Sequence, residues 1–391
     1  MNYIQNVWKL YAIRFFQNLI PAYVIERLFW EQRGMTIQMV VYAEIIYAVT
    51  IVLLEIPTGI IADKWGRKKM IVINAFFGCC EFLILLFATE FWHFAIVAFL
   101  AGVGCSASSG SENALLYDSL LSNGEQQSFE KCLGRLNAYD FSAAILAALS
   151  GSLMAGWFGF ELNYWVSFAG MLVSLCISLL LVEPGVKSKT DKPVAAKEYV
   201  TASLHFFRKN QAVCLVLLSG MVTGAALNFI DEFWQLYISR LGVPVIYFGL
   251  FSAVIFFLRL PGNILAHRIK NMISYRMLIS GTLFIFTAGL LVLCAVKGYT
   301  SLVVIFLICT VSGIIEPVVT GYLHHRIDSS MRATIDSFQS LGLRTIIIIA
   351  GLGFGFFSSR YDIFGGYGFI SFICGVFLVY FLSSSKYVIE E

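Results

Sequence analysis

Charge is what this chain has least of. Asp, Glu, Lys and Arg make up only 13% of its 391 residues, about half the share of a soluble domain. That leaves no room for a large water-soluble domain. No sign of charge dominates, with 27 basic against 24 acidic residues and a net charge of +3. The basic residues sit in short segments between apolar runs and form no phosphate-binding patch, which excludes nucleic acid as a partner. There are five histidines, scattered at loops and segment ends, and nine cysteines with no Cys-x-x-Cys. No metal-ligand spacing results. Most cysteines lie inside apolar runs and read as small buried residues, so neither disulfides nor a metal nor another cofactor is expected. No nucleophile, base and metal ligands gather at one end of the chain, which argues against an enzyme. No repeated pore ring is visible, which argues against a channel. The N-terminus lacks a signal-cleavage site, so the first apolar segment is expected to be retained.

What the chain does have is apolar length. It is 59% hydrophobic, with a mean hydropathy of +0.80. A bilayer needs about twenty apolar residues per helical crossing. Windows of that size give twelve spans, near 9–31, 38–62, 69–89, 93–121, 133–156, 163–182, 212–239, 244–266, 273–296, 300–325, 333–357 and 363–384. One long polar stretch, Glu183 to Asn210, separates six spans from six. The expected organisation is a bundle over 1–182, a basic cytoplasmic linker over 183–210 and a bundle over 211–391. Lys64, Arg67, Lys68, Lys69, Arg268, Arg276 and Arg326 fall in alternate loops, while the other loops carry single bases such as Arg33, Arg240 and Lys297. By the positive-inside rule both termini are cytoplasmic.

The two halves read as an internal repeat. Pro57 and Pro261 stand 204 positions apart, and so do Ala62 and Ala266, Glu112 and Glu316, and Gly151 and Gly355. Repeats of this kind build secondary transporters, with substrate held near the midplane. The second-half loop has lost its pattern: His267 to Lys270 stands where Asp63 to Gly66 stands in the first.

The loop between the second and third spans carries Gly59, Asp63, Gly66, Arg67, Lys68 and Lys69. This Gly-x-x-x-Asp-x-x-Gly-Arg-Lys-Lys spacing resembles the signature loop of the major facilitator superfamily. The resemblance extends over the whole length to the smaller bacterial drug-efflux members, such as macrolide and tetracycline exporters. It implies an all-α integral membrane protein of the bacterial inner membrane, with twelve helices in two pseudo-symmetric six-helix bundles. It implies alternating-access transport of a small molecule, with protons and membrane lipids as the other partners and a monomer as the working unit. Proton-coupled efflux of small amphipathic or cationic compounds is the function expected. Two features depart from the drug-antiporter pattern. Phe99 to Gly102 replaces the arginine of the fourth helix, and Ala144 to Gly156 lacks a proline in the fifth. A dedicated exporter, or a proton symporter, of a specific metabolite or siderophore therefore stands as the alternative.

A charge inside a span costs several kcal/mol unless it is paired or hydrated. Arg14, Glu26, Arg27, Glu44, Glu55, Glu81, Glu112, Asp118, Asp140, Asp231, Glu232, Arg259, Glu316 and Arg344 are the charges so placed. Glu112 and Glu316 lie nearest their span centres and are repeat-equivalent. A carboxylate buried in apolar surroundings holds its proton more tightly, so such groups can couple a proton gradient to substrate or neutralise a cation. By the resemblance both face the cavity lined by helices 1, 4, 7 and 10. Glu26, Asp231 and Glu232 lie in the outer halves of spans 1 and 7 and complete the substrate and proton-coupling set. Glu26 and Arg27 diverge by about 100° around a helix, so their partners must come from other helices. The repeat sets Glu55 against Arg259, and Asp140 against Arg344, with signs swapped. The family fold then implies two inter-bundle pairs, Glu55 with Arg344 and Asp140 with Arg259. Gly59, Asp63, Gly66, Arg67 and Lys68 are expected to form a conformational latch. Asp118 should pair with Arg67 or Arg135. Trp30, Trp92, Trp157 and Trp165 read as interfacial anchors, and Tyr23, Phe229 and Trp234 as residues able to line an apolar pocket.

Overall fold

A computed structural model describes residues 4–184, 210–326 and 332–385 of the chain. The expected linker, 183–210, lies almost entirely outside these residues, and so does the side chain of Asp63. The described residues are helical, without a strand. Apolar stretches this long have little alternative in a bilayer, where each backbone amide and carbonyl must be satisfied within its own segment.

The chain forms two compact units. Unit 1 is Met1–Thr190 together with Val243–Ala253, and unit 2 is Asp191–Gly242 together with Val254–Glu391. The stretch Val243–Ala253, expected in the second half, thus clusters with the first. Its Gly249 lies against Ala148, close enough that an added Cβ would stand 2.2 Å from that carbonyl oxygen. Unit 1 contains α1 (Ile4–Asn18), α2 (Glu26–Gln32), α3 (Ile37–Trp65), α4 (Arg67–Leu86), α5 (Phe91–Ser108), α6 (Ser111–Ser122), α7 (Phe129–Phe158) and α8 (Phe160–Leu179). Unit 2 contains α9 (Gln211–Arg240), most of α10 (Phe248–Met272), α11 (Tyr275–Ala295), α12 (Thr300–Arg326) and α13 (Arg332–Ser384).

Among the described residues, ten helical stretches are long and apolar enough to cross a membrane. One of them, Phe338–Ser384, leaves helical geometry at Tyr361 and Asp362. Each side of that break keeps the roughly twenty residues a crossing needs. The segment Ile4–Gln32 has comparable length, but α1 is only 15 residues and gives way to the short 3-10 turn Pro21–Ile25 before α2. The twelve expected spans thus fall on ten apolar helical stretches, the last of them broken at Tyr361 and Asp362, and on the interrupted segment Ile4–Gln32.

The expected fourth span, 93–121, is two helices. Between α5 and α6 the backbone turns at Ser109, and Gly110 adopts φ +73°. That left-handed geometry suits a residue with no Cβ. The break leaves the first turn of α6 as a fresh helix N-terminus inside the span. Trp30, expected as an interfacial anchor, is instead buried, packing on Phe94 with ring centroids 4.9 Å apart. Trp92, Trp157 and Trp165 are exposed as an anchor requires.

Candidate functional site

An apolar cluster brings the central charges of unit 1 together. Val7, Leu10 and Ile13 of α1 pack with Leu115 and Leu116 of α6 and Leu136 of α7. Tyr11 stacks on Tyr139 with ring centroids 5.3 Å apart. Arg14 lies one helical turn beyond Tyr11, and Asp140 adjoins Tyr139. The aromatic pair therefore sets α1 against α7 in the register that lets Arg14 meet Asp140. The Arg14 Nε donates to both Asp140 oxygens at 3.1 Å, and a further contact joins its Nη2 to Oδ2. Its Nη1 donates to Glu112 Oε2 at 3.1 Å. The planar guanidinium fork is suited to such a double engagement. Asn18 Nδ2 adds a bond to Asp140 Oδ1 at 3.0 Å.

Glu112 is 6% exposed. It sits in the first turn of α6, where unpaired backbone amides favour a negative group. Two carboxylates thus share one cation, and the group carries a formal charge of −1 when all three are ionised. Beside it, Trp8, Tyr11, Arg135, Ala138, Tyr139 and Ser142 line a recess of about 310 Å³ between α1 and α7.

A second charged group lies farther along the first segment. Arg27 is bonded to Glu44 of α3 and comes within 3.9 Å of Glu26, with its guanidinium 4.7 Å from the Trp30 ring. The shorter contact is to another helix, as the divergence of adjacent helical residues predicts. The contact with Glu26 corrects the expectation that the neighbours could not meet: Glu26 opens α2 directly after a 3-10 turn, and the long Arg27 side chain reaches back to it.

In unit 2, Asp231 of α9 is bonded to Arg259 of α10, and Arg259 Nη2 reaches the Cys309 sulfur of α12 at 3.8 Å. Asp140 and Arg259, expected to pair with each other across the bundles, each have their partner within their own unit. The physical reason is proximity: Arg14 lies on a helix packed directly against α7, and the Asp231 carboxylate comes within bonding reach of Arg259. Glu55 is exposed on α3 and has no ion pair among the described residues. Arg344 is half-buried, and its Nε lacks a hydrogen-bond partner among the described residues. Glu232 is half-buried beside Asp231. Glu316 is exposed on α12 next to Pro317, with no bond to a described residue. Phe229 and Trp234 are core residues rather than pocket walls, Phe229 stacking on Phe354 at 4.8 Å.

The signature loop is tied down from two sides. Gly66 ends α3 and precedes α4 with φ +100°, a conformation that favours glycine. An added Cβ there would meet the Glu183 carboxyl at 3.0 Å. Glu183 accepts from the amide of Arg67 at 2.9 Å and from that of Lys68 at 2.7 Å. It caps α4, placing its charge on the helix's positive end. Arg67 is bonded to Asp118 and donates to the Ala114 carbonyl at 2.9 Å. Gly59, on the exposed side of α3, has open space around its Cα. Sequence reasoning found Asp118 but neither the Glu183 cap nor the bridging role of Arg14. The Arg14 signal was available: an intramembrane base must find an acid.

A transporter of the multi-pass secondary class is what this helix arrangement and these intramembrane charges define. Residues 10–351 match the model of the Major Facilitator Superfamily, and the chain belongs to that superfamily. It is 25% identical over 309 residues to an uncharacterized transporter of Buchnera aphidicola, covering 75% of this chain and 74% of that one. It is 23% identical to multidrug resistance protein MdtG of Salmonella paratyphi C, over 60% of this chain and 56% of the relative. Its backbone superposes on that of the nucleoside transporter NupG with a TM-score of 0.78, 14% identity, and 99% and 100% coverage. At that identity the likeness is one of fold. The protein is a membrane transporter of small molecules and not an enzyme.

Proposed function

We propose that this chain is a proton-coupled exporter of small amphipathic or cationic compounds, working by alternating access in the bacterial inner membrane as a monomer with both termini cytoplasmic. The observation that carries this reading is the imbalance at Arg14. One guanidinium faces two carboxylates, the buried Glu112 and the half-buried Asp140. An uncompensated negative charge in a low-dielectric site is costly. A proton on Glu112 removes it, and so does a cationic group of a substrate that reaches the two carboxylates past the neighbouring recess, whose walls are Trp8, Tyr11 and Tyr139 together with Arg135. The two cannot both be favoured at once, and that competition is the elementary step of antiport. Aromatic faces also suit an organic cation. The similarity to MdtG supports efflux of this kind.

The latch role of Gly59, Asp63, Gly66, Arg67 and Lys68 is part of the same reading. Asp118 and Glu183 grip Arg67 and Lys68 in the present arrangement, and transport requires that grip to change between states. Glu26, Asp231, Glu232 and Glu316 remain in the proton and substrate set as secondary members.

The test is drug-triggered proton release from protein in liposomes, for wild type and for Glu112→Gln. Release in the wild type that disappears in the variant supports the reading. A wild type that releases no proton with any drug overturns it, and native metabolites then become the panel to examine.

A further inference from the structure

The end of unit 1 opposite the basic loop holds a carboxylate that the transport reading does not use. Glu81 lies in the last part of α4 and is 9% exposed. It makes no hydrogen bond or ion pair with a described residue. Aromatic rings surround this stretch. Phe82 is 6.1 Å from the Tyr23 ring and 6.2 Å from that of Tyr164, and Phe29 lies 4.0 Å from Tyr164.

The charged groups that face this place come from every neighbouring element. The first segment supplies Tyr23, Glu26 and Arg27. Helix α3 supplies Glu44 and Tyr47, and α8 supplies Tyr164. Tyr164 lies in the joint field of Glu26, Arg27 and Glu81, and Tyr23 in that of Glu81 and Glu26. On α5 the nearest titratable group is His93, whose Nδ1 accepts from the Glu90 amide at the helix start. Two guanidiniums face these groups. Arg27 is engaged by Glu44, by Glu26 and by the Trp30 face. Arg33 lies over the Phe29 ring and is engaged by Glu161 and by the carbonyls of Leu86 and Ala88. Neither is bonded to Glu81. The Tyr164 hydroxyl and the Trp30 Nε1 are buried beside each other at the same place.

A buried carboxylate with no cation and no donor is stable only when neutral. We propose that Glu81 is a second proton-binding site, loaded from the membrane face opposite the 66–69 loop and separate from the Arg14, Glu112 and Asp140 group. A proton from water at that face adds to a Glu81 carboxylate oxygen, and the acid formed is uncharged. Deprotonation returns the proton to water and leaves a bare anion near Glu26, while Arg27 and Arg33 are engaged by other carboxylates. Glu81 thus senses proton activity at its own face whatever the substrate turns out to be.

The experiment is difference infrared spectroscopy of the purified protein in lipid vesicles at neutral pH, without substrate. Its readout is the carbonyl stretch of a protonated carboxylic acid. Wild type should show such a band that is lost in Glu81→Gln and retained in Glu112→Gln. Glu81→Asp keeps the acid and should move the band rather than remove it, which covers the case in which Glu81→Gln fails to fold. A spectrum of folded Glu81→Gln with the wild-type acid bands intact overturns the proposal. No substrate is added, so a failure of drug-triggered proton release leaves this result unaffected.

Discussion

Glu112 and Glu316 occupy equivalent positions in the two halves, yet their surroundings differ in kind. Glu112 is buried in the first turn of a helix that restarts at Gly110, and Arg14 holds it. Glu316 is exposed in an uninterrupted helix beside Pro317 and has no bonded partner among the described residues. The residue 204 positions after Arg14 is Leu218, and the residue 204 after Asp140 is Arg344. Unit 1 therefore places one base between two acids, whereas the equivalent positions of unit 2 hold a leucine, an acid and a base, Leu218, Glu316 and Arg344, with no ion pair between the last two. A repeat fixes where a backbone goes. It does not fix the charge around a side chain, and the proposed coupling rests on the half where the charges fail to balance.

The sharpest way to break this comparison is to make unit 1 resemble unit 2. Arg14→Leu leaves Glu112 and Asp140 side by side without a cation. Removing one partner of a fully buried pair costs about 3–5 kcal/mol. Arg14 is one-third exposed, so about 2–3 kcal/mol is expected. The protein should melt several degrees lower in detergent, and adding Asp140→Asn should recover most of the loss. A single variant with the wild-type melting profile would show that Arg14 is not the common partner.

Next in size is the effect on coupling. Glu112→Gln should reduce drug-triggered proton release by at least about tenfold, the equivalent of 1.4 kcal/mol in barrier or affinity. Glu316→Gln should change it by less than about threefold, because that carboxylate is bonded to no described residue and shares no cation with a second acid. Equal losses in liposome assays would return the two acids to the symmetric roles that the repeat suggested.

Much of the fold was legible because a bilayer imposes a length. The boundaries expected at 69–89, 273–296 and 300–325 lie within a few residues of α4, α11 and α12. The break at Ser109 and Gly110 was hidden, because hydropathy averages over twenty residues and a left-handed glycine leaves it unchanged. The candidate site was legible as a set of intramembrane charges and illegible as a set of pairs. Arg14 meets residues 98 and 126 positions away, and only packing brings them together. The resemblance to the family fold sent Asp140 and Arg259 toward each other, while Arg14 and Asp231 were nearer. Glu183 sits at the edge of the polar stretch, where composition marks a linker and cannot mark a cap.

A smaller effect is expected at the ion pair of unit 2. Asp231 is 37% exposed and Arg259 21%, so both keep some access to water. Asp231→Asn should cost about 1 kcal/mol, in the range of a partly screened pair. Exchanging the signs, with Asp231→Arg and Arg259→Asp together, should be milder than either single reversal. A double variant worse than the sum of the singles in a melting assay would mean that the two residues do not act through each other.

The last comparison concerns how each half begins its third helix. In unit 2, Ser274 caps α11 locally by accepting from the Met277 amide at 3.3 Å. In unit 1, the cap of α4 is Glu183, from the far end of the bundle. Either cap is worth about 1 kcal/mol to its own helix. A local serine secures one turn, whereas a distant carboxylate also ties the end of the bundle to the 66–68 loop. Ser274→Ala should therefore lower stability slightly and leave transport rate unchanged. Glu183→Gln should have a similarly small effect on stability but change the rate, because the loop it releases must move with each cycle. Rates that fall equally in the two variants, measured per folded molecule in liposomes, would make Glu183 a cap and nothing more.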